Sequence, residues 1–555
     1  MEVDMEKKRL RKFRPLIFGL VLAAATGLLV FTELVTMYAN NADDFWFDFS
    51  VMIGPTLLLA AIVMLIMLAI MSTLAVISKK KRKMSVYYIL FVATSVGFVC
   101  CYVHANFLAG MLPPLDGAEF DWGGTAPNLV SVLVALVAFV GVIFLIKKYK
   151  PEKAAGILNY TNFVVIAMML VGLVSTMVTT DMFRPKKEAA TASAENLNLL
   201  SEKENFLILM VDAVDARTFE EVVLAREEEK TTLKDFSFFK DSLGGYPFTR
   251  DAVPLIFSGM WNENKKSFTT YSTEAFENAP IFKALDEANY GRRNFYDMDF
   301  IWEGEGVKQF ENMVSSTGIK VDTDMFLKQE VKYILFKTLP YPLKRFSSIQ
   351  SMNYYLARKE EESGFFVWQD DSFYNGTLEK EAEKTTEKNF AYIHLEGAHV
   401  PFDLDENVSA VENGTYKQKV GATLGVIRKY LDYLKENGAY ENATIVILAD
   451  HGYAGDESTE GRQNPLLLVK GKGETHSKMK TSLKQVSYAD LAMTLAELMG
   501  GKKSTEIFED IPEEGRERRY MYYEFYKKGR FLEQTLNGRA WETEKMVFTG
   551  EEFNL

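Results

Sequence analysis

Five long apolar stretches in the first third of the chain constrain its fold more than any other feature. Each is long enough for a helix that crosses the roughly 30 Å apolar core of a bilayer. Stretches 51–78 and 127–146, for example, contain no charged residue, whereas a buried helix of that length in a soluble protein normally keeps a polar face. The sequence therefore predicts five membrane-spanning helices. They lie near residues 15–37, 51–78, 86–110, 127–146 and 156–180.

The charges between these stretches indicate an orientation. Basic residues cluster at 7–14, 79–83 and 147–153, whereas the loops near 43–48 and 116–121 contain acidic residues and no Lys or Arg. The positive-inside rule assigns the basic segments to the cytoplasm. We therefore expect a multi-pass protein of the cell membrane, with a cytoplasmic N-terminus and an extracytoplasmic C-terminal part. The first stretch lacks a small-residue cleavage site, so we expect it to act as a signal anchor.

Composition changes after the last stretch. We predict a transmembrane domain at 1–180, a polar linker at 181–203 that is rich in Ala, Ser, Glu and Lys, and an extracytoplasmic domain at 204–555. Both cysteines, Cys100 and Cys101, lie in the third apolar stretch, so the external domain has no disulfide. The net charge of −12 argues against a nucleic-acid partner.

Short apolar runs in the external part have the composition of strands that are buried on both faces of a parallel sheet. Apolar residues at helical spacing from Val420 to Leu434, followed by Asn437 and Gly438, predict a helix that joins two of these runs. The pattern predicts an α/β domain with a mostly parallel central sheet. The runs are residues 206–211, 390–393, 444–449 and 465–469.

Polar residues with ligand chemistry follow three of these runs. Asp212 follows the first, His394 and His399 the second, and Asp450 with His451 the third. Ligands of open parallel sheets bind beyond the carboxyl ends of the strands, so we expect these side chains to meet there. Carboxylates and imidazoles are suitable ligands for Zn²⁺ or Mn²⁺. Taken singly, each Asp is equally consistent with a capped turn or helix start.

A threonine stands before a predicted helix in the segment FTRDAVPLIFS. The hydroxyl of Thr249 is a poor nucleophile at neutral pH, but a divalent metal can stabilise its alkoxide, and amides at a helix start can bind a phosphoryl group. The alternative is an ordinary N-cap.

Four motifs in this order carry a family resemblance. They are Asp212, T-x-x-x-V-P-x-x-F-S at 249–258, H-x-x-G-x-H-x-P-F at 394–402 and A-D-H-G at 449–452. The set resembles the alkaline-phosphatase/sulfatase superfamily and, more narrowly, the membrane-anchored phosphoethanolamine transferases and the lipoteichoic acid synthases. Those families have five helices followed by an external sulfatase-like domain, which is the architecture expected here.

The resemblance implies roles for these residues. Thr249 would be the covalent nucleophile, and its oxygen would join Asp212, Asp450 and His451 around one divalent metal, Zn²⁺ or Mn²⁺. His399 would contact the phosphoryl group, with His394 beside it. The implied reaction moves phosphoethanolamine or glycerol phosphate from a phospholipid donor, through phosphothreonine, to an envelope glycan, lipid or teichoic-type acceptor. It also implies a bacterial envelope.

The chain departs from that pattern at several positions. The transferases usually have Glu where this chain has Asp212, and they have a histidine shortly after the D-H-G motif, for which Arg462 or His476 are the candidates here. Glu396, between the two motif histidines, is open between a ligand role and a solvated strand-end carboxylate. These departures leave the donor and the acceptor open.

Two other functions remain consistent with the sequence. One is a membrane-anchored hydrolase, either a phosphodiesterase or a sulfatase, although a formylglycine sulfatase needs a Cys or Ser in a C/S-x-P-x-R context and the external part contains no Cys. Transfer and hydrolysis differ only in whether water or another hydroxyl resolves the intermediate. The other is a non-catalytic module that binds envelope polymers.

Overall fold

The structure is a computed structural model, and it forms two compact units. Unit 1 contains residues 1–186 and 320–359, and unit 2 contains residues 187–319 and 360–555. Helices and strands are numbered along the chain. The structure describes residues 2–42, 45–112, 122–184, 190–297, 305–315, 320–359, 364–453, 455, 461–524 and 530–554.

Unit 1 contains α1 (Glu2–Asn40), α2 (Phe49–Lys80), α3 (Met84–Phe107), α4 (Thr125–Lys148), α5 (Pro151–Thr179), α11 (Thr323–Thr338), α12 (Tyr341–Lys344), β8 (Lys320–Val321) and β9 (Arg358–Lys359). The helices of unit 2 are α6 (Ala216–Leu224), α7 (Glu227–Thr232), α8 (Thr249–Ser258), α9 (Phe268–Glu277), α10 (Pro280–Glu287), α13 (Asp370–Asn375), α14 (Tyr416–Glu436) and α15 (Leu491–Met499).

The strands of unit 2 are β1 (Ala190–Ala192), β2 (Leu199–Ser201), β3 (Asn205–Val211), β4 (Ser237–Phe239), β5 (Ser242–Leu243), β6 (Arg292–Tyr296), β7 (Met313–Ser315), β10 (Glu383–Thr385), β11 (Asn389–Leu395), β12 (Ala443–Leu448), β13 (Leu467–Lys470), β14 (Lys480–Ser482), β15 (Val486–Ser487), β16 (Glu517–Glu524), β17 (Arg530–Asn537) and β18 (Met546–Asn554).

The five predicted membrane helices are present as α1 to α5. Among the described residues, these five are long and apolar enough to cross a membrane, and α4 is the most apolar, with a mean hydropathy of 3.2. A close approach joins α1 to α2, because a Cβ at Gly27 would lie 2.9 Å from the Cβ of Met64. Small residues at such contacts let membrane helices pack backbone to backbone. This part of the fold prediction is confirmed.

Residues 320–359 interrupt unit 2 in sequence but belong to unit 1. The antiparallel pair β8 and β9 closes this insertion, with Lys320 opposite Lys359. Between them, α11 contacts α1, α2 and α3, and α12 contacts α4. The insertion and the membrane helices therefore share one compact unit.

The central sheet of unit 2 has the strand order β14-β4-β13-β12-β3-β11-β6. The pairings on both sides of β3 and β11 are parallel, whereas β13 runs antiparallel to its two neighbours. The mostly parallel sheet is confirmed, and the predicted run 465–469 contains its reversed strand. Every residue of β3, β11 and β12 is buried, as expected of strands covered on both faces.

The predicted helix before β12 is α14. Thr415 caps its first turn, and Gln418 completes a capping box. Its buried face packs in the main core of unit 2 and includes the fully buried Leu431 and Leu434; burial of a leucine contributes about 2 kcal/mol. The helix ends before Gly438, whose φ of 69° is readily adopted only by glycine. This αβ connection places the end of β12 beside β3.

Two smaller features complete unit 2. Inside the predicted 181–203 linker, β1 pairs with β7 and β2 pairs with β10. Near the C-terminus, β16, β17 and β18 form a separate antiparallel sheet. The domain boundaries derived from the sequence stay predictions.

Candidate functional site

Neighbouring strands bring the site residues together. β12 pairs with β3 so that Leu448 lies opposite Met210, and both strands end at the same edge of the sheet. Asp212 follows β3, and Asp450 and His451 follow β12. Their ligand atoms all lie within 4.8 Å of one another. The strand ends therefore build a compact cluster of two carboxylates and one imidazole.

The cluster has free ligand atoms that point inward. The His451 Nε2 lies 3.6 Å from Asp212 Oδ1 and 3.4 Å from Asp450 Oδ2. Neither of these carboxylate oxygens has a hydrogen-bond partner, although both are buried. Buried polar atoms are rarely left unsatisfied. A divalent cation would satisfy them at once, so the residues present fit a metal ion.

The hydrogen bonds around the cluster orient two of its ligands. The Nδ1 of His451 donates to the carbonyl oxygen of Gly452 over 2.7 Å, which leaves the Nε2 lone pair of a neutral imidazole for a ligand. The backbone N–H of Ala213 donates to Asp450 Oδ1 over 3.2 Å, and the other oxygen of this carboxylate stays available.

Thr249 is the first residue of α8, and its hydroxyl donates to Asp212 Oδ2 over 3.3 Å. Phe248 occupies the N-cap position and provides no side-chain hydrogen bond to the first turn. The threonine is therefore not the N-cap, which was the alternative explanation for it. Its oxygen lies beside the cluster, at the electropositive start of a helix.

His394 lies in β11 and is fully buried between two carboxylates. Its Nε2 is 3.6 Å from Asp212 Oδ2, and its Nδ1 is 3.1 Å from Asp297 Oδ2. The Trp368 ring packs edge-on against the imidazole, with the ring centroids 5.3 Å apart. His394 thus supports Asp212 from within the sheet and is not open to solvent.

His399 lies on the loop after β11 and is partly exposed. Its Nδ1 donates to the Val400 carbonyl oxygen over 2.6 Å, and Trp368 packs against its ring. The loop packs closely against the backbone of Asp212, because a Cβ at Gly397 would lie 2.5 Å from the backbone nitrogen of Asp212. Gly397 also has a φ of 60°, so only glycine suits this position.

Burial and neighbouring charges shift the pKa values of the two carboxylates in opposite directions. Burial raises the pKa of Asp212, but the imidazoles of His399, His394 and His451 outweigh it and hold the pKa below its usual range. The pKa of Asp450 is raised by burial and by the negative charge of Asp212. Two carboxylates this close repel each other, and a cation between them would relieve the repulsion.

His394 experiences the same balance with the opposite sign. Burial alone would lower its pKa, but the flanking carboxylates of Asp297 and Asp212 raise the pKa well above the ordinary value.

The remaining sequence candidates have other partners, and His476 follows the end of β13 where Lys470 lies opposite Ile445, at the other edge of the sheet from the cluster. The carboxylate of Glu396 pairs with the ammonium of Lys419 over 3.1 Å. The Nε2 of His476 lies 2.8 Å from Glu474. Arg462 donates a long hydrogen bond of 3.4 Å to the carbonyl oxygen of Pro247, two residues before Thr249. Of the two substitutes for the missing histidine, Arg462 is the one placed at the nucleophile loop.

Sequence reasoning missed two residues of the site, Asp297 and Trp368. Asp297 directly follows β6, so its position at a strand end was an available signal. That strand reads RRNFY, however, and its polar first half hides the apolar pattern of a buried strand. Trp368 lies outside the helices and strands, and no sequence pattern marks it.

Several solved structures are similar to part of this chain. The crystal structure of Ps i-CgsB is 18% identical in sequence, with 61% of this chain and 83% of that chain covered and a TM-score of 0.37. The lipoteichoic acid synthase LtaP from Listeria monocytogenes is 11% identical, with 60% and 85% covered and a TM-score of 0.34. The C-terminal periplasmic domain of EcEptC from Escherichia coli is 14% identical, with 60% and 94% covered and a TM-score of 0.32.

Sequence comparison adds the family. No curated protein sequence matches this chain. The model of the Sulfatase family matches residues 205–501, which include all four motifs and the whole candidate site. The chain therefore belongs to the Sulfatase family, as its motifs predict.

Proposed function

We propose that this protein is a membrane-bound, metal-dependent transferase that moves a phosphoryl head group from a phospholipid through a phosphothreonine at Thr249. The observation that carries the proposal is the position of the Thr249 hydroxyl, 3.3 Å from Asp212 Oδ2 and beside unpartnered oxygens of Asp212 and Asp450. A structural threonine has no need of such neighbours.

The ligand set supports one divalent metal, Zn²⁺ or Mn²⁺, held by Asp212, Asp450, His451 and the oxygen of Thr249. Two carboxylates and an imidazole suit either ion. When bound, the metal would lower the pKa of the threonine hydroxyl and offset the charge of the phosphoryl group. Asp212 accepts the hydrogen bond of that hydroxyl and orients its lone pair toward the substrate.

The first half-reaction uses residues around Thr249. The Thr249 hydroxyl first loses its proton to solvent, and its oxygen then forms a bond to phosphorus while the bond from phosphorus to the diacylglycerol oxygen breaks. The uncapped first turn of α8 offers backbone amides to the phosphoryl oxygens. His399, which is partly exposed and has its Nδ1 engaged with Val400, donates a proton from Nε2 to the departing oxygen.

The second half-reaction reverses these roles. A hydroxyl of the acceptor gives its proton to His399, attacks phosphorus and releases Thr249.

The acceptor is an envelope glycan, lipid or teichoic-type polymer, and the head group is phosphoethanolamine or glycerol phosphate. Five apolar helices support this assignment because they hold the enzyme in the membrane that contains the donor. We place the N-terminus in the cytoplasm and unit 2 outside a bacterial cell membrane.

Mass spectrometry of the full-length protein tests the proposal. After incubation with phosphatidylethanolamine or phosphatidylglycerol and Mn²⁺ or Zn²⁺, we expect an adduct on the peptide that contains Thr249, with the mass of the transferred head group. Thr249→Ala should show none, whereas Thr270→Ala, a control at an exposed threonine of the same unit, should retain it.

Two results would contradict transfer. Release of a soluble head group into water, equal with and without acceptor, would favour the membrane-anchored phosphodiesterase instead. Absence of both adduct and product, with metal bound, would favour a non-catalytic envelope-binding module.

A further inference from the structure

The insertion at residues 320–359 contacts one end of the membrane bundle. The Trp46 indole donates to the carbonyl oxygen of Tyr354 over 3.1 Å, and the backbone N–H of Tyr341 donates to Ser131 Oγ over 3.0 Å. Trp46 lies between α1 and α2, and Ser131 lies near the start of α4. This end is opposite to the basic loops at 79–83 and 147–153.

The insertion contacts the membrane helices along their length and not only at their ends. Thr56 of α2 hydrogen-bonds Glu330 of α11 seven residues after α2 begins, which corresponds to about 10 Å along the helix axis. Burial raises the pKa of Glu330 to about 7, as expected of a carboxyl group held in apolar surroundings. α11 therefore packs against the sides of the membrane helices and does not only cover their ends.

Large apolar residues lie on two faces of α11. Phe326, Tyr333 and Phe336 are buried against unit 1, whereas Val331 and Leu335 point away from it and are exposed. A surface helix in water normally presents its polar residues to the solvent, so exposed Val331 and Leu335 on a second face suggest a lipid or protein partner.

The exposed apolar face continues beyond α11. Leu343, Phe346 and Leu356 are also exposed, with 73% of Phe346 and 61% of Leu356 accessible. These residues lie in elements that contact α11, and exposed apolar residues grouped in this way mark an interaction site. Because it adjoins helices that themselves cross the membrane, the same bilayer is the surface that it meets first.

The charges of this segment fit phospholipid head groups. Residues 323–347 contain five basic and two acidic residues, although the whole chain has a net charge of −12. Lys328 is exposed on the same side of α11 as Val331, and the exposed Arg345 precedes Phe346. Basic residues that flank apolar ones are typical of segments that lie in the membrane interface, and anionic lipids strengthen such binding.

We propose that residues 323–347 are an interfacial segment that buries Val331, Leu335, Leu343 and Phe346 in the lipid leaflet at this end of the bundle, with Lys328, Lys332 and Arg345 at the level of anionic lipid phosphates. A segment inserted in the sequence of unit 2, and not only the five membrane helices, would then contact lipid. The inference does not depend on the proposed reaction.

Spin-label accessibility in nanodiscs tests this placement. Single cysteines at Leu335 and Phe346, in a background with Cys100→Ala and Cys101→Ala, would carry a nitroxide in the full-length protein. We expect high collision rates with oxygen and low rates with a water-soluble nickel chelate, as at the lipid reference Leu136→Cys in α4. Leu224→Cys, an exposed leucine in unit 2, serves as the water reference and should give the opposite ratio.

The alternatives give distinct readings. High nickel accessibility at both positions would place the segment in water and overturn the proposal. Low accessibility to both reagents would show that protein covers the surface, and it would overturn the proposal equally.

Lipid composition tests the basic residues separately. Lys328→Gln, Lys332→Gln and Arg345→Gln together should lower the phosphatidylglycerol retained on the purified protein, relative to phosphatidylcholine, by about fivefold for each charge that contacts lipid. Lys265→Gln, Lys266→Gln and Lys283→Gln in unit 2 provide a control with the same charge change and should have no effect. Equal retention by both triple variants would contradict the anionic contact.

Discussion

The ammonium of Lys419 lies 3.1 Å from the carboxylate of Glu396 and also contacts Asp403, and its side chain is completely buried. Glu396 and Asp403 flank the loop that carries His399, and Lys419 comes from α14 beneath it. One cation therefore joins both sides of the loop. The backbone of the same loop is fixed by the N–H of Ala398, which donates to the carbonyl oxygen of Asp212 over 2.8 Å.

We predict that Lys419→Met loosens this loop, because it leaves two carboxylates facing each other without the cation between them. Loss of a hydrogen bond to a charged group costs about 2 kcal/mol, so hydrogen exchange at residues 397–403 should accelerate by about tenfold or more. Lys417→Met is the matched control, since Lys417 is an exposed lysine of the same helix that pairs with Glu221 at the surface.

Activity measurements separate positioning from general damage. If Lys419 acts through His399, Lys419→Met should lower turnover strongly in the wild-type background and little in a His399→Ala background. Independent losses that simply multiply would argue that the lysine supports stability only. The exchange experiment needs no substrate, so it remains informative if the proposed reaction is wrong.

Asp370 predicts a pH dependence of stability. Its carboxyl group is completely buried near Glu396, and burial together with the charge of Glu396 raises its pKa to about 8. In the unfolded chain the same group ionises near pH 4. The folded state thus holds a proton that the unfolded state loses, and the stabilisation present below pH 4 decreases as pH rises toward 8, by about 1.4 kcal/mol for each pH unit.

Asp370→Asn should remove this dependence while keeping the oxygen that accepts from the N–H of Gly397. We measure the thermal midpoint on the full-length protein in micelles. Between pH 5 and pH 8, the midpoint of the variant should rise relative to that of the wild type. Asp371→Asn, at the exposed neighbouring position, should follow the wild type. A constant difference across this range would exclude a buried proton on Asp370.

Metal analysis tests the ligand assignment directly. Asp212→Ala and His451→Ala should each lower the affinity for Mn²⁺ or Zn²⁺ by at least about tenfold, because each removes one of the three protein side chains of the cluster that can hold the ion. His476→Ala changes a partly buried histidine of the same unit that binds Glu474, and it should retain one metal per chain. Retention of stoichiometric metal by either ligand variant would remove that residue from the site.

The sequence was sufficient where the physical signal is local. Five membrane helices follow from continuous apolar composition, and the Asp212 and Asp450 positions follow from strands that end in polar residues. The antiparallel direction of β13 could not be predicted, because an apolar run of five residues contains no information about direction. Lys419 was also missed, since a lysine on an amphipathic helix normally faces water, and its carboxylate partners lie 16 and 23 residues away.

The insertion was missed for a different reason. Residues 323–338 read as an ordinary helix with lysines at regular intervals, and the whole helix of 16 residues is shorter than a membrane span. Only the contacts of α11 with the membrane helices reveal which unit it belongs to.

Gly397 provides a test of how closely the His399 loop must approach the metal ligands. Its φ is 60°, and a Cβ there would lie 2.5 Å from the backbone nitrogen and 2.6 Å from the backbone carbonyl oxygen of Asp212. Gly438 has a similar φ of 69° but open space around its Cβ position. Gly438→Ala therefore measures the cost of backbone conformation alone, about 1 kcal/mol.

Gly397→Ala adds a backbone clash that the β3 strand cannot relieve without moving Asp212. We expect a loss of stability larger than that of Gly438→Ala by at least about 2 kcal/mol and a metal affinity at least tenfold weaker, whereas Gly438→Ala should bind metal normally. Thermal unfolding and metal titration of the two full-length variants make the comparison. Equal stability and equal metal affinity in the two variants would mean that the loop can withdraw from Asp212 without consequence, and the contact between the histidine loop and the first ligand would then lose its role in shaping the site.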